Sequence, residues 1–537
     1  MRATEKEGGQ VEALAAMDRN GKNDSRDELN IVREAPESQA PDESAAMENH
    51  RALFRQVAET LKNTVWAELD FFESTVVNIL AEGVKPYILH DGTSWLVYNE
   101  TTGIFENDPH TVYRLAGFIA TVWRDVLGFG VTGSQFNFLK YIDSDKGHRA
   151  VMNGLSNIQG VFCKPTEFDT DPYMLNCQGE SYDLRNGSHR PSTPTDRFTQ
   201  TTNYKPAAGP MPIWDKFLDD FTCGDQELKR YLLRFFGQGL TGLMLQRQFL
   251  YWHGEGSNGK DKMLEVVGGI MGGYYGTANP ELFSKQDKYG KDAQYFYSLV
   301  GKRLVTCSDV PDGTLNTPAI KQITGNSPIT IKKLYADEIN GVYLKCKLIM
   351  SSNFNLRLTE FSRAVSSRLR LIQCNQVLTD ETKDTHIVEK VLTEAPAILD
   401  ALINEAVAFC RDDRELPCKA IRKESEKYQE TQDVLGSFLR DAFEFRSKIS
   451  TAELFRLYKD GGYGKSGKGR FFIEVDQRGY KKTHTEKGDF FINPEDDNPE
   501  ADKNSSDSRN SLYIRDIEKL RPTDEFLSAD PEDEPPF

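Results

Sequence analysis

The stretch that decides the fold is QFLYWHGEGSNGKDKMLEVVGGIMG, residues 248–272. It opens with an apolar, aromatic run from Phe249 to Trp252, which predicts a β-strand. The glycine-rich segment from Gly254 to Lys260 follows, and apolar residues then recur at helical spacing. Strand, glycine-rich loop and helix in this order are typical of a phosphate-binding loop.

Eight consecutive residues are predicted to bind a nucleotide: Gly254, Glu255, Gly256, Ser257, Asn258, Gly259, Lys260 and Asp261. Glycines let backbone N–H groups turn toward phosphates, and the helix N-terminus adds its partial positive charge. Lys260 is expected to contact the β- and γ-phosphates. The alternative is a glycine-rich turn that joins a strand to a helix and binds nothing.

Asp261 stands where such loops usually carry Ser or Thr as a Mg²⁺ ligand. A carboxylate is also a Mg²⁺ ligand. Its charge, however, repels a polyphosphate by about 4 kcal/mol per unit charge at a separation of ~4 Å and an effective dielectric constant of about 20, before the metal screens it. Nucleotide binding is therefore expected to depend on the metal, or to be weakened or lost.

Two further apolar runs end in polar residues. Lys302–Asp309 (KRLVTCSD) places Asp309 where it would polarise an attacking water and bind the metal together with Asp261. A strand predicted over 343–352 is followed by Asn353, whose amide would orient the lytic water or sense the γ-phosphate. A cap at the strand end is the alternative role for Asn353.

Basic residues flank these strands. Arg368, in the sequence SRLR, is predicted to neutralise transition-state charge on a neighbouring subunit's nucleotide. The segment AIKQITGNSPITIKKLYADEI (319–339) predicts a hairpin that turns at residues 325–328. Its basic residues suit contact with a phosphate backbone, although a solvated basic loop explains them equally well. They are Lys321, Lys332 and Lys333.

Composition limits the class of protein. The chain has 537 residues, 38% of them hydrophobic, and a formal net charge of −16, which excludes a globally basic, histone-like binder. It contains no apolar run long enough to span a membrane and no signal-peptide pattern at the start. Its eight cysteines include no C-x-x-C pair, which favours reduced thiols in the cytoplasm and argues against a zinc finger.

The pattern along the chain predicts an α/β fold in several parts. Helices are expected over 51–82, 110–127, 212–245, 384–411 and 419–446, with small antiparallel hairpins at 87–105 and a loop-rich region over 163–212. The predicted divisions are a disordered acidic tail (1–50), a helical and hairpin region (51–212), a core around the loop (213–378), a helical connection (379–434), a C-terminal domain (435–493) and an acidic tail (494–537).

In order, GEGSNGK, GKRLVTCSD, IKQITGNSPITIKKLY, SSN and SSRLRLI resemble the superfamily 3 helicases. The strongest resemblance is to the phage, plasmid and poxvirus-type primase–helicase family. It extends to residues 176–187, to helices expected within 214–242 and to a winged-helix-like region at 435–493, so that it covers roughly 85–493.

The resemblance implies an AAA+-type P-loop ATPase core that assembles as a ring, usually a hexamer, around DNA and uses ATP and Mg²⁺. Lys260 would be the Walker A lysine, Asp309 the Walker B acid, Asn353 the sensor and Arg368 the arginine finger. Lys332 and Lys333 would lie on the DNA-contacting hairpin. The implied partners are single-stranded DNA and origin duplex, in the cytoplasm of the host cell if a phage encodes the chain.

The C-terminal region adds a second candidate DNA contact. Residues 469–478 fit a recognition helix, and YKKTHTEKGDFFIN (480–493) fits a wing with Lys481 and Lys482. A purely structural cap is the alternative. Many relatives also carry an N-terminal primase domain, for which the residues before the hairpins leave no room. Priming by this chain is therefore not expected, and a separate primase is a candidate partner.

Three departures from the family pattern separate the hypotheses. Asp261 replaces Ser or Thr, Asp309 replaces Glu, and Ser366-Ser367 replaces Trp-Arg. The first hypothesis is an ATP-dependent DNA helicase for replication of a phage, prophage or plasmid-like element. The second is a catalytically weak or inactive DNA-binding ring or initiator factor. A P-loop kinase of a small metabolite is a third, against which the basic hairpin and the wing argue.

Overall fold

The computed structural model describes residues 49–494 apart from short gaps at 65–68, 128–131, 284–291, 309–313, 333–337, 355–356, 359–364, 366, 380, 382, 413–415, 445, 465 and 487. Asp309, predicted to act in catalysis and metal binding, and Lys333, predicted to bind DNA, therefore lie outside the described residues. Of the two predicted tails, the structure describes Asn49 and His50 at the first and Pro494 at the second. No helix within the described residues is both long and apolar enough to cross a membrane.

The N-terminal region consists of helices packed against small antiparallel sheets. Its elements are α1 (Arg51–Asn63), α2 (Glu73–Val84), β1 (Ile88–His90), β2 (Trp95–Asn99), β3 (Ile104–Asn107), α3 (Pro109–Leu127), α4 (Gly133–Ile142), α5 (Asp145–Leu155), β4 (Met174–Cys177), β5 (Glu180–Asp183) and β6 (Ser188–Pro191). The hairpins predicted over 87–105 are confirmed, since β1, β2 and β3 pair in antiparallel order. The single helix predicted over 51–82 is two helices. The region expected to be loop-rich contains the antiparallel β4–β5–β6 sheet.

A five-stranded parallel sheet follows, in the order β15-β7-β13-β9-β8. The elements of this part are α6 (Pro212–Phe221), α7 (Gln226–Gly239), β7 (Phe249–His253), α8 (Lys260–Met271), β8 (Tyr275–Thr277), α9 (Asp292–Tyr297), β9 (Leu304–Cys307), β10 (Thr314–Leu315), α10 (Thr317–Thr324), β11 (Ile329–Lys332), β12 (Glu338–Val342), β13 (Lys347–Ser352), β14 (Arg357–Leu358) and β15 (Leu369–Gln373). The predicted α/β class is confirmed.

Both faces of this sheet are buried. Leu250 and Trp252 of β7 face one core, which α6, α7 and α8 complete, while Phe249 and Tyr251 face a second core that includes α10. Alternate residues of a strand point to opposite faces, so a strand covered on both sides reads as a continuous apolar run. This burial explains why the sheet was recognisable from sequence.

Two predicted elements have different boundaries in the structure. The helix expected over 212–245 breaks because Cys223 and Gly224 adopt left-handed backbone angles, and the Asp225 carboxylate then caps α7 by accepting from Glu227 N and Leu228 N. The strand expected over 343–352 begins only at Lys347.

The C-terminal helices are α11 (Ile387–Leu392), α12 (Ala395–Asp412), α13 (Lys419–Gln432) and α14 (Val434–Phe443). The two helices expected over 384–411 and 419–446 are therefore four. Glu394, between α11 and α12, accepts hydrogen bonds from Ile213 N (3.1 Å) and Trp214 N (2.9 Å), which fixes the start of α6. Helix α13 covers the outer edge of β15, where Leu371 N donates to Ser425 Oγ (3.0 Å).

A small α+β unit closes the described chain. Its elements after α14 are β16 (Lys448–Ser450), α15 (Thr451–Asp460), α16 (Lys468–Gln477), β17 (Lys481–Thr485) and β18 (Gly488–Ile492). The predicted order of three helices and two strands is present, with β16 added as a third strand beside β18. Aromatic residues from α14, α15 and α16 form its core.

Candidate nucleotide-binding site

The glycine-rich loop lies at the carboxyl edge of the parallel sheet, between β7 and α8. Ser257 and Gly259 have left-handed backbone angles, with φ of 60° and 79°. At Gly254 a Cβ atom would lie 2.6 Å from Cys374 O, so only glycine fits. The buried Asn258 side chain donates to Glu255 O (2.6 Å) and braces the loop. Glycine-rich loops with left-handed residues at a helix N-terminus are a recurrent phosphate-binding geometry in proteins, so the loop is a candidate phosphate site.

Lys260 is buried, with 5% of its surface exposed. Its ammonium donates to Gly254 O (2.5 Å), to Ser352 O (3.1 Å) and to Asn353 Oδ1 (2.9 Å). This contact arises because β13 is the parallel neighbour of β7, with Ser352 opposite His253. The structure thus joins Lys260 and Asn353, two residues whose roles were predicted from separate segments of the sequence.

A cavity of about 770 Å³ opens in front of the loop. One wall consists of Gly256–Lys262 and Ser351–Asn353, so it contains the exposed carboxylate of Asp261. The opposite wall is partly apolar and carries Ile213 and Phe217 of α6. The glycine-rich loop, Lys260 and apolar side chains therefore share one space of the size that holds a small-molecule ligand.

Sequence reasoning missed this second wall. It includes the apolar Leu378 and Ile387 and three cations, Lys216, Lys383 and Lys390. Lys216 pairs with Asp220 (2.6 Å), and Lys390 pairs with Asp384 (2.6 Å). The sequence signal for this wall was the apolar periodicity of α6, and it was weak. Such a periodicity predicts an apolar helix face but does not tell whether that face packs into a core or lines a cavity.

The segment after β15 runs beside the loop and holds this wall in place. Cys374 N donates to His253 O (2.7 Å), and Leu378 N donates to Ser257 O (2.8 Å). Between them, the Gln376 side-chain oxygen is buried without a hydrogen-bond partner among the described residues. A Cβ atom at Gly259 would lie 3.2 Å from that oxygen.

Arg368 lies at the opposite, amino edge of the sheet. Its carbonyl accepts from Phe249 N (2.9 Å), at the first residue of β7, while the loop follows the last residue. Five residues of strand separate the two ends by roughly 16 Å, which exceeds the length of an arginine side chain. Arg368 therefore cannot contact the loop of its own chain. Its guanidinium donates instead to Thr324 Oγ1 (3.0 Å) and Lys321 O (3.3 Å), and burial together with Arg247 lowers its pKa.

Comparison with known proteins identifies the family. Residues 79–223 match a family model described as D5 N terminal like, and residues 252–368 match a family of unknown function, DUF5906. A candidate helicase of Acanthamoeba polyphaga mimivirus is 25% identical over 180 residues, which are 32% of this chain and 18% of that protein. The chain is a primase–helicase family protein.

Solved structures of the NrS-1 C-terminal region are also similar to this primase–helicase family protein. Three apo structures match at 12% identity, over 75% of this chain and 95% of theirs, with TM-scores of 0.41, 0.44 and 0.43.

The central lysines predicted to contact DNA in this primase–helicase family protein do not share one hairpin. The turn at residues 325–328 joins α10 to β11, so Lys321 lies on a helix. The hairpin is formed by the two strands after this turn, β11 and β12. This corrects the predicted position of the turn. Lys332, at the end of β11, lies 3.7 Å from the carboxylate of Glu338.

The second lysine pair lies in the C-terminal unit of this primase–helicase family protein. Lys481 and Lys482 are exposed on β17. Asp489, on β18, accepts from both Lys482 Nζ (2.6 Å) and His484 Nδ1 (2.6 Å), which hold the pKa of Asp489 below its usual range. One carboxylate therefore offsets part of the positive charge of this strand pair.

Proposed function

We propose that this protein is an ATP-dependent DNA helicase that acts in replication of a phage, prophage or plasmid-like element. The observation that carries the proposal is the contact of Lys260 with Asn353 at the mouth of a cavity of about 770 Å³. A cation, an amide from the neighbouring strand and a phosphate-binding loop then meet at one ligand-sized space, as ATP hydrolysis requires.

The residues of the cavity fit a nucleoside triphosphate. The loop and Lys260 would hold the phosphates, and the apolar wall with Ile213 and Phe217 would hold the base. Asp261 is exposed to the same cavity and would hold Mg²⁺. A bound Mg²⁺ would offset the negative charge that Asp261 brings near the phosphates.

The position of Arg368 supports assembly of several copies. Because Arg368 lies at the sheet edge away from its own loop, an arginine finger at this position would act on a neighbouring copy's nucleotide. We therefore propose an AAA+-type ring, a homohexamer by resemblance, that contacts DNA through the β11–β12 hairpin and the winged-helix-like C-terminal unit. It would act in the cytoplasm of the host cell if a phage encodes the chain.

One observation favours a second candidate function, a catalytically weak or inactive DNA-binding ring. Asp261 is exposed in the first turn of α8, on the cavity wall where a triphosphate would lie. Without a metal ion its charge opposes nucleotide binding. Such a protein would keep the helicase fold for initiation at an origin.

Hydrolysis of ATP by the purified protein separates the two functions. Turnover is measured with and without Mg²⁺ and single-stranded DNA, beside the variant Asp261→Ser. Mg²⁺-dependent turnover that DNA stimulates in the natural sequence supports a helicase with Asp261 as metal ligand. Turnover that only Asp261→Ser provides supports the DNA-binding ring, and turnover by neither protein contradicts the helicase.

A further inference from the structure

The three-stranded sheet of the C-terminal unit has one face in the core and one face outside it. Ile449 of β16 and Phe491 of β18 lie opposite each other, and both are buried in the core of the unit. Because alternate residues of a strand point to opposite faces, Phe490 and Ile492, on either side of Phe491, lie on the other face. Both are partly exposed, so an apolar pair lies on this face of the sheet.

Two lysines flank this apolar pair. Lys448 of β16 and Lys481 of β17 are both register partners of Ile492, and cross-strand partners share a face. Both lysines are exposed, and neither forms an ion pair with another described residue. We call this surface the outer sheet face, and by register it consists of Lys448, Ser450, Lys481, Thr483, Phe490 and Ile492.

The outer sheet face is suited to a polypeptide that carries both carboxylates and apolar side chains. The same strand pair already binds one carboxylate, because Asp489 accepts from Lys482 Nζ (2.6 Å). The residue between the two unpaired lysines is the aliphatic Ile492, which offers no ring on which a base could stack. An acidic polypeptide therefore fits this face better than single-stranded nucleic acid does.

This chain contains a segment of that chemistry. Residues 435–493, which form the C-terminal unit, include twelve Lys and Arg against eight Asp and Glu, whereas residues 494–537 include five against fourteen. Six of these carboxylates fall within residues 524–534, which contain no Lys or Arg and include the apolar Phe526 and Leu527. The unit and the segment that follows it are thus opposite in charge and attract each other.

We propose that the outer sheet face docks residues 524–534 of the same chain. Its two lysines pair with carboxylates of the segment, and Phe526 and Leu527 pack against the apolar pair. Thirty-one residues lie between Ile492 and Asp524 and can span roughly 100 Å, so the length of the chain sets no limit. Because docking is intramolecular, contacts that are weak individually suffice.

Docking has a consequence for the candidate DNA contacts. Lys481 belongs to the outer sheet face and is also predicted to contact DNA, so the docked segment and DNA compete for it. The docking itself depends on neither DNA binding nor ATP hydrolysis, and it is therefore tested without nucleic acid or nucleotide.

Zero-length carbodiimide cross-linking of the full-length protein tests the docking, because it joins a lysine amine to a carboxylate only where the two are in contact. Monomeric products are separated on a denaturing gel, and the joined peptides are identified by mass spectrometry. Lys448 and Lys481 are expected to join residues 524–534 roughly five times as often as Lys459 does. Lys459 is the matched control, an exposed lysine on α15 outside the outer sheet face.

The variant Phe490→Ala tests the apolar part of the contact. It is expected to lower cross-linking at both lysines roughly threefold, because only the exposed part of this side chain is available for packing. If Phe490→Ala fails to fold, Lys448→Met replaces it, and cross-linking at Lys481 should then fall because one of the two charges is lost.

Three outcomes overturn the docking. The first is cross-linking at Lys448 and Lys481 that is no more frequent than at Lys459. The second is a yield that the substitution leaves unchanged, which would mean attraction between charges without a bound position. The third is cross-links found only in dimeric products, which would assign the outer sheet face to the acidic segment of a second copy.

Discussion

Both edges of the parallel sheet carry buried cations, yet they differ in whether a cavity adjoins the cation. At the carboxyl edge, Lys260 lies on the wall of an open cavity. At the amino edge, Arg303 donates to Leu240 O and Met174 O, and Lys347 donates to Thr241 O (2.6 Å). Lys347 also donates to Thr241 Oγ1 (3.1 Å), so both cations are held by oxygens of the protein itself.

We infer from this difference that a buried cation is a candidate ligand contact where a cavity adjoins it. Arg303 also stacks on Tyr274, with its guanidinium 4.5 Å from the ring centroid, and it fastens the N-terminal region to the sheet through Met174. The amino-edge cations thus hold parts of the chain together, while the carboxyl edge is open to a ligand.

The substitution Arg303→Met, at the amino edge, is expected to have the largest effect, a loss of stability of the folded protein. Two buried carbonyl oxygens lose their donor, each at a cost of about 1–3 kcal/mol, so the free energy of unfolding falls by about 4 kcal/mol. Denaturant unfolding followed by fluorescence measures it, and ATP affinity below the transition stays at the wild-type value. A variant as stable as wild type would contradict the structural role of the amino edge.

Lys260→Ala tests the opposite edge. Removal of charge-assisted hydrogen bonds to phosphate is expected to lower ATP affinity about 100-fold, since each such bond contributes about 1.5–3 kcal/mol. Calorimetric titration measures the affinity, with Lys347→Met as the matched control at a buried lysine that faces no cavity. Equal affinity in Lys260→Ala and wild type would remove the phosphate-loop assignment.

Lys347 makes the stability of the amino edge depend on pH. Burial, with a further contribution from Arg303, lowers the pKa of Lys347 to about 7. In the unfolded chain the pKa of a lysine is about 10.4, so between these two pH values only the unfolded state keeps the proton. Raising the pH from 7 to 10 therefore favours the folded state.

The comparison with Lys347→Met isolates this contribution. The thermal midpoint of wild type should rise relative to that of Lys347→Met as the pH increases from 7 to 10. A difference between the two proteins that stays constant over this range would show that the lysine is charged in the fold.

The smallest expected effect is on DNA affinity and involves the exposed cations of the β17–β18 strand pair. Asp489→Asn removes the carboxylate that pairs with Lys482 and His484. Affinity of the protein for duplex DNA should rise about threefold at low salt and converge with wild type at high salt, because exposed charges are screened. Unchanged affinity at low salt, measured by fluorescence anisotropy, would argue against DNA contact by the β17–β18 strands.

Much of the carboxyl edge was predictable because its signals are local. The apolar run of β7, the glycines and Lys260 lie within one short segment, and glycine is required by the positive φ at Gly259 and by the close approach at Gly254. The strand that ends before Asn353 was also found, although its start was placed too early.

The cavity's second wall and the amino edge were not predictable, since their contacts join residues far apart in the chain. Glu394 caps α6 across 181 residues, and Arg303 reaches Met174 across 129 residues. The hairpin turn was misplaced for a different reason. Gly325–Pro328 is a strong turn signal, and the sequence alone does not tell whether a strand or a helix such as α10 precedes it.

The covering of β15 by α13 has a consequence for biosynthesis. The outer edge of β15 offers unpaired backbone groups until Ser425 and the rest of α13 arrive, and α13 leaves the ribosome well after β15. Exposed sheet edges recruit other strands, so the nascent chain passes through an interval in which its central sheet is prone to aggregate. Chaperone binding during translation is expected to concentrate in that interval, and fragments that end before residue 419 should be recovered mainly as insoluble protein.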